Sequence, residues 1–288
     1  MNLQIPKKAA VINSFAGYGR CSLTEALPIL SAMRVQACPV PTAVFSNHTG
    51  FAAFACQDLT AFLPSYLEQW KQLNLTFDGV LCGFLGQAEQ ILSVSSFLSD
   101  QKSRGCQTIL VDPVMGDHGK PYRTITTEHC QKLRSLIPLA DIITPNITEA
   151  CLLTDTPWKD GFWNESELSE LCQRLHKLGP SKIVITGLPC LIHGKEGFEN
   201  YLSCKEPFSQ RTCLTPSAGP SRHGTGDIFA SAATAGLARG LDYPDALKLA
   251  TDFTLAAMEK TAADPDRRTY GVNFEQALGM LTEVLNRF

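Results

Sequence analysis

The sequence predicts an α/β fold: a doubly wound, mostly parallel sheet with helices on both faces. Three observations carry this expectation. Brief aliphatic runs closed by Gly, Pro or a polar residue alternate with longer amphipathic stretches. No internal repeat, low-complexity tract or Gly/Ser linker divides the 288 residues. The last third, from Thr225 onward, reads as mostly helical. A single doubly wound domain over residues 1–288 is the economical reading.

In chain order, the first strand is expected over 9–13, an aliphatic run that meets Ser14 and a glycine-rich turn. A helical pattern follows over 23–33, then a strand over 43–45 closed by Ser46-Asn47. A helix over 59–73, a strand over 79–83 ending in glycine and a helix over 87–102 come next. The run 108–112 stops at Asp112-Pro113, and 141–144 stops at Thr144-Pro145, after which a helix opens. A helix over 165–178 leads to the strand 182–186, closed by Gly187. Pieces near 191–192 and 201–203 would add an antiparallel edge. Ligands of such folds gather at the carboxyl ends of the strands, so the polar clusters after each run are where chemistry is sought.

Composition narrows the function. Hydrophobic residues make up 44% and charged residues 18%, which excludes a mostly disordered chain. Lys+Arg number 25 against 28 Asp+Glu, so no basic footprint for nucleic acid exists. No apolar run approaches the roughly 18 residues of a membrane span. The start, Met1 to Lys8, leads into only a brief apolar run, too short for a signal-peptide core, and a cytosolic location is expected. Eleven cysteines stand singly from Cys21 to Cys213, without a C-x-x-C pair, so reduced and mostly buried thiols are expected rather than disulfides or zinc.

The segment Ser221-Arg222-His223-Gly224-Thr225-Gly226-Asp227 runs straight into a helix rich in small residues. A glycine-bracketed turn opening a helix aims the N–H groups of Thr225, Gly226 and Asp227 at one point, with the positive end of the helix dipole behind them. That point suits a phosphoryl group, and Asp227 would accept the proton of an attacking hydroxyl. The same residues also suit a plain helix start, with Thr225 as N-cap and Asp227 as a first-turn acid. Asp112, at a strand end before Pro113, would position magnesium-bound phosphates through water. Asn146 and Glu149, three apart on the helix after Pro145, would face the same cleft. Two carboxylates beside an anion hole point to a nucleotide triphosphate with magnesium, against the plainer roles of turn cap and helix acid. No Walker loop or Gly-x-Ser-x-Gly elbow occurs, and Gly17-Tyr18-Gly19 lacks the third glycine of a dinucleotide site because position 22 is Ser22. His48 and His118 are expected to shape loops of the cleft rather than catalyse.

Ser14 with Gly17-Tyr18-Gly19, Phe45-Ser46-Asn47-His48-Thr49, Gly83-Phe84-Leu85-Gly86, Asp112-Pro113-Val114-Met115-Gly116, Thr144-Pro145-Asn146 with Glu149, and Gly224-Thr225-Gly226-Asp227 occur in that order. Together they resemble the pyridoxal and pyridoxamine kinases of the ribokinase superfamily, across residues 9–260. The resemblance implies a ribokinase-like domain that phosphorylates the 5′-hydroxymethyl group of B6 vitamers. In it, Asp227 is the base and Gly224, Thr225 and Gly226 form the anion hole. Asp112, Asn146, Glu149 and Thr186 match positions serving ATP, with Asp112 and Glu149 toward Mg²⁺. Ser14 and Thr49 match substrate contacts, and 116–122 matches a flap over the site. A cytosolic homodimer using ATP, Mg²⁺ and a monovalent cation such as K⁺ is also implied. Phe45 and Phe84 would pack a flat pyridine ring, or serve simply as core. Phe15 and Phe84 depart from the histidine and tyrosine of many relatives, and Thr186 from a lysine found in some. Hydroxymethylpyrimidine kinase, a sugar kinase and a non-catalytic B6-binding carrier are the alternatives.

Overall fold

The computed structural model describes residues 6–205, 222–264 and 270–285, together with the backbone of 209–216. Ser221, the Cys213 side chain and the stretches 1–5, 265–269 and 286–288 lie outside the described residues. In chain order the elements are β1 (Lys7–Ala16), α1 (Leu23–Ala32), β2 (Val35–Phe45), β3 (Cys56–Asp58), α2 (Leu63–Gln72), β4 (Gly79–Cys82) and α3 (Gln90–Ser103). Then follow β5 (Ile109–Val111), β6 (Gly116–Asp117), β7 (Lys120–Pro121), α4 (Thr127–Leu133), β8 (Ile142–Ile143), α5 (Ile147–Thr154) and α6 (Glu165–Lys177). The chain continues through β9 (Lys182–Ile192), β10 (Lys195–Cys204), β11 (Ser209–Pro216), α7 (Thr225–Ala238), α8 (Tyr243–Ala262) and α9 (Leu278–Leu285).

One nine-stranded sheet has the order β11-β10-β9-β8-β5-β4-β1-β2-β3, and β6 and β7 form a separate hairpin. All neighbours from β2 through β9 run parallel, and the antiparallel pairs lie at the two edges. The mostly parallel, doubly wound expectation is therefore met. Its cause is visible in β1: Ala10 and Ile12 join the core on one face with α2 through α6, while Ala9 and Val11 join the core on the other with α1, α7, α8 and α9. A strand buried on both faces carries no polar alternation, which is why it reads as a plain aliphatic run.

Two edges are longer than the sequence suggests. Residues 43–45 are only the end of β2, which starts at Val35. Pro39 and Pro41 break the aliphatic run, yet they pair only with β1 because β3 reaches no further than Ala43 to Phe45. Proline is tolerated where one side of a strand lacks a ladder partner. At the other edge, β9 and β10 form a long hairpin turned by His193 and Gly194, both at positive φ (51° and 78°), the left-handed pair that suits a two-residue hairpin turn. Its half-exposed residues hide the strand pattern that continuous burial reveals elsewhere. Of the ten described cysteines, all free, four are buried, five half-buried and one exposed, so burial is less general than expected.

The strand order reverses at β1, with β2 on one side and β4 on the other. The crevice at the carboxyl ends of β1 and β4 is thus the topological switch point, where such sheets bind ligands.

Candidate active site

Helix α7 begins at that crevice. Gly224 is its N-cap, in the left-handed region at φ 89°, so Thr225 occupies the first helical position. The Thr225 hydroxyl does not cap the helix; it donates to the Arg222 carbonyl at 2.8 Å. The Thr225 N–H, expected to join the anion hole, donates instead to the Arg222 carbonyl at 3.4 Å, so the Gly226 and Asp227 N–H groups, which have no carbonyl of their own helix to meet, are the donors left for an anion. The small residues behind them, from Ala230 to Gly236, are all buried and seat the helix on the sheet.

Asp227 lies in that first turn and is held at both oxygens. Asn13, at the end of β1, donates Nδ2 to Oδ1 at 2.9 Å, and the Ser22 backbone N–H donates to Oδ2 at 2.8 Å. Asn13 is fixed in turn, its Oδ1 accepting from the N–H groups of Ser14 (2.8 Å) and Phe84 (3.1 Å). Gly83 makes room for it, since a Cβ there would stand 2.5 Å from Asn13 Nδ2. Burial raises the Asp227 pKa, and the two hydrogen bonds, which favour its charged form, restrain that rise.

Asp112 follows β5 and reaches toward the same turn. Thr144 donates to its Oδ1 at 3.1 Å, and its Oδ2 lies 3.7 Å from where a Cβ on Gly226 would stand. Burial, and then the nearby charge of Asp227, push its pKa up to about 7. With Asp112 buried, Asp227 half-buried and the charge of Asp227 raising the proton affinity of Asp112, the site is short of positive charge. A hard divalent cation suits it, held by one or two carboxylates with water and phosphate oxygens completing its shell. Among the described residues no group of three or more His, Cys, Asp or Glu side chains forms a ready metal cage.

The other expected nucleotide residues surround this centre. Glu149 is buried, its pKa raised well above the ordinary carboxylate range by burial and by Asp112. It accepts from the Met115 N–H at 3.0 Å and the Asn146 N–H at 2.9 Å. Asn146 and Glu149 form a reciprocal capping box at the start of α5, and Asn146 Nδ2 also donates to the Gly116 carbonyl at the base of the β6–β7 hairpin. Both side chains thus brace the hairpin expected as a flap. Thr186 is half-buried in β9, bridged to Asn146, and its N–H donates to the Pro145 carbonyl at 2.9 Å.

On the acceptor side, Ser14 is buried and donates its hydroxyl to Ser22 at 3.0 Å, while Thr49 is exposed on the loop after β2. Phe45 and Phe84 meet edge to face at 6.1 Å between ring centres, and Phe54 adds a third ring 5.6 Å from Phe45. His48 is buried with Nδ1 accepting from the Gly50 N–H, so it shapes its loop as expected, while His118 stands exposed on the hairpin. Sequence reasoning missed Asn13 and Ser22. A polar residue closing an aliphatic strand was a visible sign for Asn13, whereas Ser22 acts through its backbone and leaves no side-chain signature.

An anion hole, a held aspartate and a second carboxylate at the switch point of a parallel sheet define the class: a phosphoryl-transferring α/β enzyme with a ribokinase-like fold. The phosphomethylpyrimidine kinase profile matches residues 27–272. A pyridoxal kinase of Arabidopsis thaliana is 30% identical over 243 residues, covering 81% of this chain and 75% of its own. A hydroxymethylpyrimidine/phosphomethylpyrimidine kinase of Haemophilus influenzae is 36% identical over 180 residues, covering 61% and 63%. A crystal structure from Bacteroides thetaiotaomicron, provisionally assigned as a phosphomethylpyrimidine kinase and obtained with pyridoxal, superimposes with a TM-score of 0.89 at 36% identity, covering 96% of each chain. The chain belongs to the phosphomethylpyrimidine kinase family, within the pyridoxal kinase group of the ribokinase superfamily.

Proposed function

We propose that this protein transfers the γ-phosphoryl group of ATP to the 5′-hydroxymethyl oxygen of a B6 vitamer. The observation that carries the reading is Asp227: a half-buried carboxylate at the mouth of an anion hole, oriented at both oxygens by Asn13 and Ser22. Asp227 takes the hydroxyl proton as the oxygen attacks, and the N–H groups opening α7 receive the charge of the transferring phosphoryl. Asp112, with Glu149 behind it, would hold Mg²⁺, which supplies charge neutralisation on the phosphates when bound. The rings of Phe45 and Phe84 give a flat heteroaromatic its packing surface, with Ser14 and Thr49 as polar contacts. Thr186 and Asn146 serve the nucleotide side. The Bacteroides relative obtained with pyridoxal supports the B6 assignment. A single domain acting as a cytosolic homodimer, with K⁺ as a further cation, follows from the family resemblance.

The second reading is hydroxymethylpyrimidine phosphorylation, favoured by the Haemophilus relative and by the matching profile. ADP release with Mg-ATP across pyridoxal, pyridoxine, pyridoxamine, hydroxymethylpyrimidine and ribose separates the two. Turnover with a vitamer well above the pyrimidine is expected, and preference for the pyrimidine overturns the substrate assignment. Binding of a vitamer with no turnover supports a carrier instead. Asp227→Asn is expected to lower kcat by about 10² to 10⁴-fold with the fold intact, the usual cost of losing a general base. Near-normal turnover in that variant would refute the role of Asp227.

A further inference from the structure

Glu25 lies in the first turn of α1, fully buried at 0% exposure, and neither of its carboxyl oxygens has a hydrogen-bond partner. It faces the catalytic turn. Both Glu25 oxygens and the Arg20 carbonyl oxygen lie within 2.7 Å of the point that a Cβ on Gly224 would occupy. Three oxygens crowd one side of the anion-hole glycine, and no donor stands among them. A carboxylate there would be an unpaired buried charge, one of the costliest arrangements in a protein. A carboxylic acid eases the conflict, because its O–H is a donor and the Arg20 carbonyl oxygen is an acceptor crowding the same point.

We propose that Glu25 is a positioning residue that acts as a neutral acid, its O–H directed to the Arg20 carbonyl, holding the turn 20–22 against Gly224. That turn carries the Ser22 N–H that orients Asp227. The same turn is held from its far side, where the Arg20 N–H donates to the Tyr270 carbonyl at 2.8 Å and the Arg20 guanidinium pairs with Glu275. The charged and titratable groups around Glu25 are Asp227 on α7, Glu275 after α8, and Arg20 and Cys21 on the turn. Burial first, then the charges of Asp227 and Glu275, raise the Glu25 pKa well above the carboxylate range, with Arg20 as the one opposing influence. The Cys21 thiol is pushed up by burial and by Asp227 and Glu25, so it too stays uncharged at neutral pH. Ionising Glu25 would put a negative charge beside Asp227 and behind the anion hole, where it opposes the incoming phosphoryl group.

The inference rests on the kinase reading, and one of its tests does not depend on turnover. In an infrared difference spectrum of wild type minus Glu25→Gln at neutral pH, the carbonyl band of a protonated carboxyl is expected. Its absence overturns the proposal even if the enzyme is active. Kinetically, Glu25→Gln keeps a donor in place and is expected to rescue what Glu25→Ala loses. The alanine variant should lower kcat about tenfold, the weight of one positioning hydrogen bond, with little change in the vitamer KM. The fall of kcat at alkaline pH in wild type should disappear in Glu25→Gln. Equal impairment of both variants with an unchanged pH profile overturns the positioning role. If the alanine variant fails to fold, the glutamine profile and the infrared band decide. Lack of turnover with every substrate refutes the kinase reading and leaves the infrared result standing by itself.

Discussion

Asn13→Ala tests whether the end of β1 sets the chemistry. The Asn13 side chain makes three hydrogen bonds: one donated to Asp227 Oδ1 at 2.9 Å, and two accepted from the Ser14 and Phe84 N–H groups at 2.8 and 3.1 Å. A hydrogen bond to a charged group is worth about 1.5–3 kcal/mol. Removing the donor weakens the ionised form of Asp227 by that amount, or about one to two pKa units at 1.36 kcal/mol each. The base works only when ionised, so the sign is definite: the acid limb of the rate profile moves to higher pH. Below the shifted limb, turnover falls by about 10- to 100-fold. The two N–H groups left without a partner add about 1–3 kcal/mol of destabilisation each where water does not reach them. The assay is ADP release from pH 5 to 9 for wild type and Asn13→Ala, with melting curves run alongside. A folded variant whose acid limb and kcat match wild type would refute this account of how Asp227 is held.

Three further outcomes follow from the same geometry. Gly83→Ala places a Cβ 2.5 Å from Asn13 Nδ2, so it should move the acid limb in the same direction. Combined with Asn13→Ala its effect should be less than additive, and full additivity in the double mutant refutes the shared cause. The raised pKa values of Asp112, Asp227, Glu25 and Glu149 mean that the folded apoprotein holds more protons than the unfolded chain. The stability these groups contribute is full below their unfolded values and is lost as pH rises, for Asp112 between about 4 and about 7. Apoprotein Tm should therefore drop across that window, and Mg²⁺ with nucleotide should restore it; a flat profile contradicts the buried carboxylate cluster. Phe84→Leu removes the edge-to-face partner of Phe45 and should raise the vitamer KM about 2- to 10-fold, from a ring contact worth about 0.5–1.5 kcal/mol, with kcat nearly held. An unchanged KM assigns Phe84 to the core alone.

Much of this was legible in the chain. Parallel strands are buried on both faces and therefore read as aliphatic runs; β1, β4, β5 and the first half of β9 declare themselves in this way. The glycine turn before α7 identifies itself because close approach of a phosphoryl group to a helix start needs glycine and a free first turn. Asp112 stands out as an acid closing an apolar run, and Glu149 as a first-turn acid three residues after Asn146. These are local properties, and local sequence determines them.

The pairings that make the site act were decided only by the tertiary structure. Asn13 and Asp227 are 214 residues apart, and they meet because β1 lies at the switch point beneath the start of α7. Glu25 is the acid of the first turn of α1, and only packing of α1 against α7 buries it beside Gly224 without a donor. Pro39 and Pro41 argue against a strand until the sheet order leaves that stretch of β2 with a partner on one side only. In each case sequence specifies what a residue is able to offer: a donor, an acid, a missing N–H. The order and register of the sheet choose the group that receives it, because they bring together segments that chain proximity never compares.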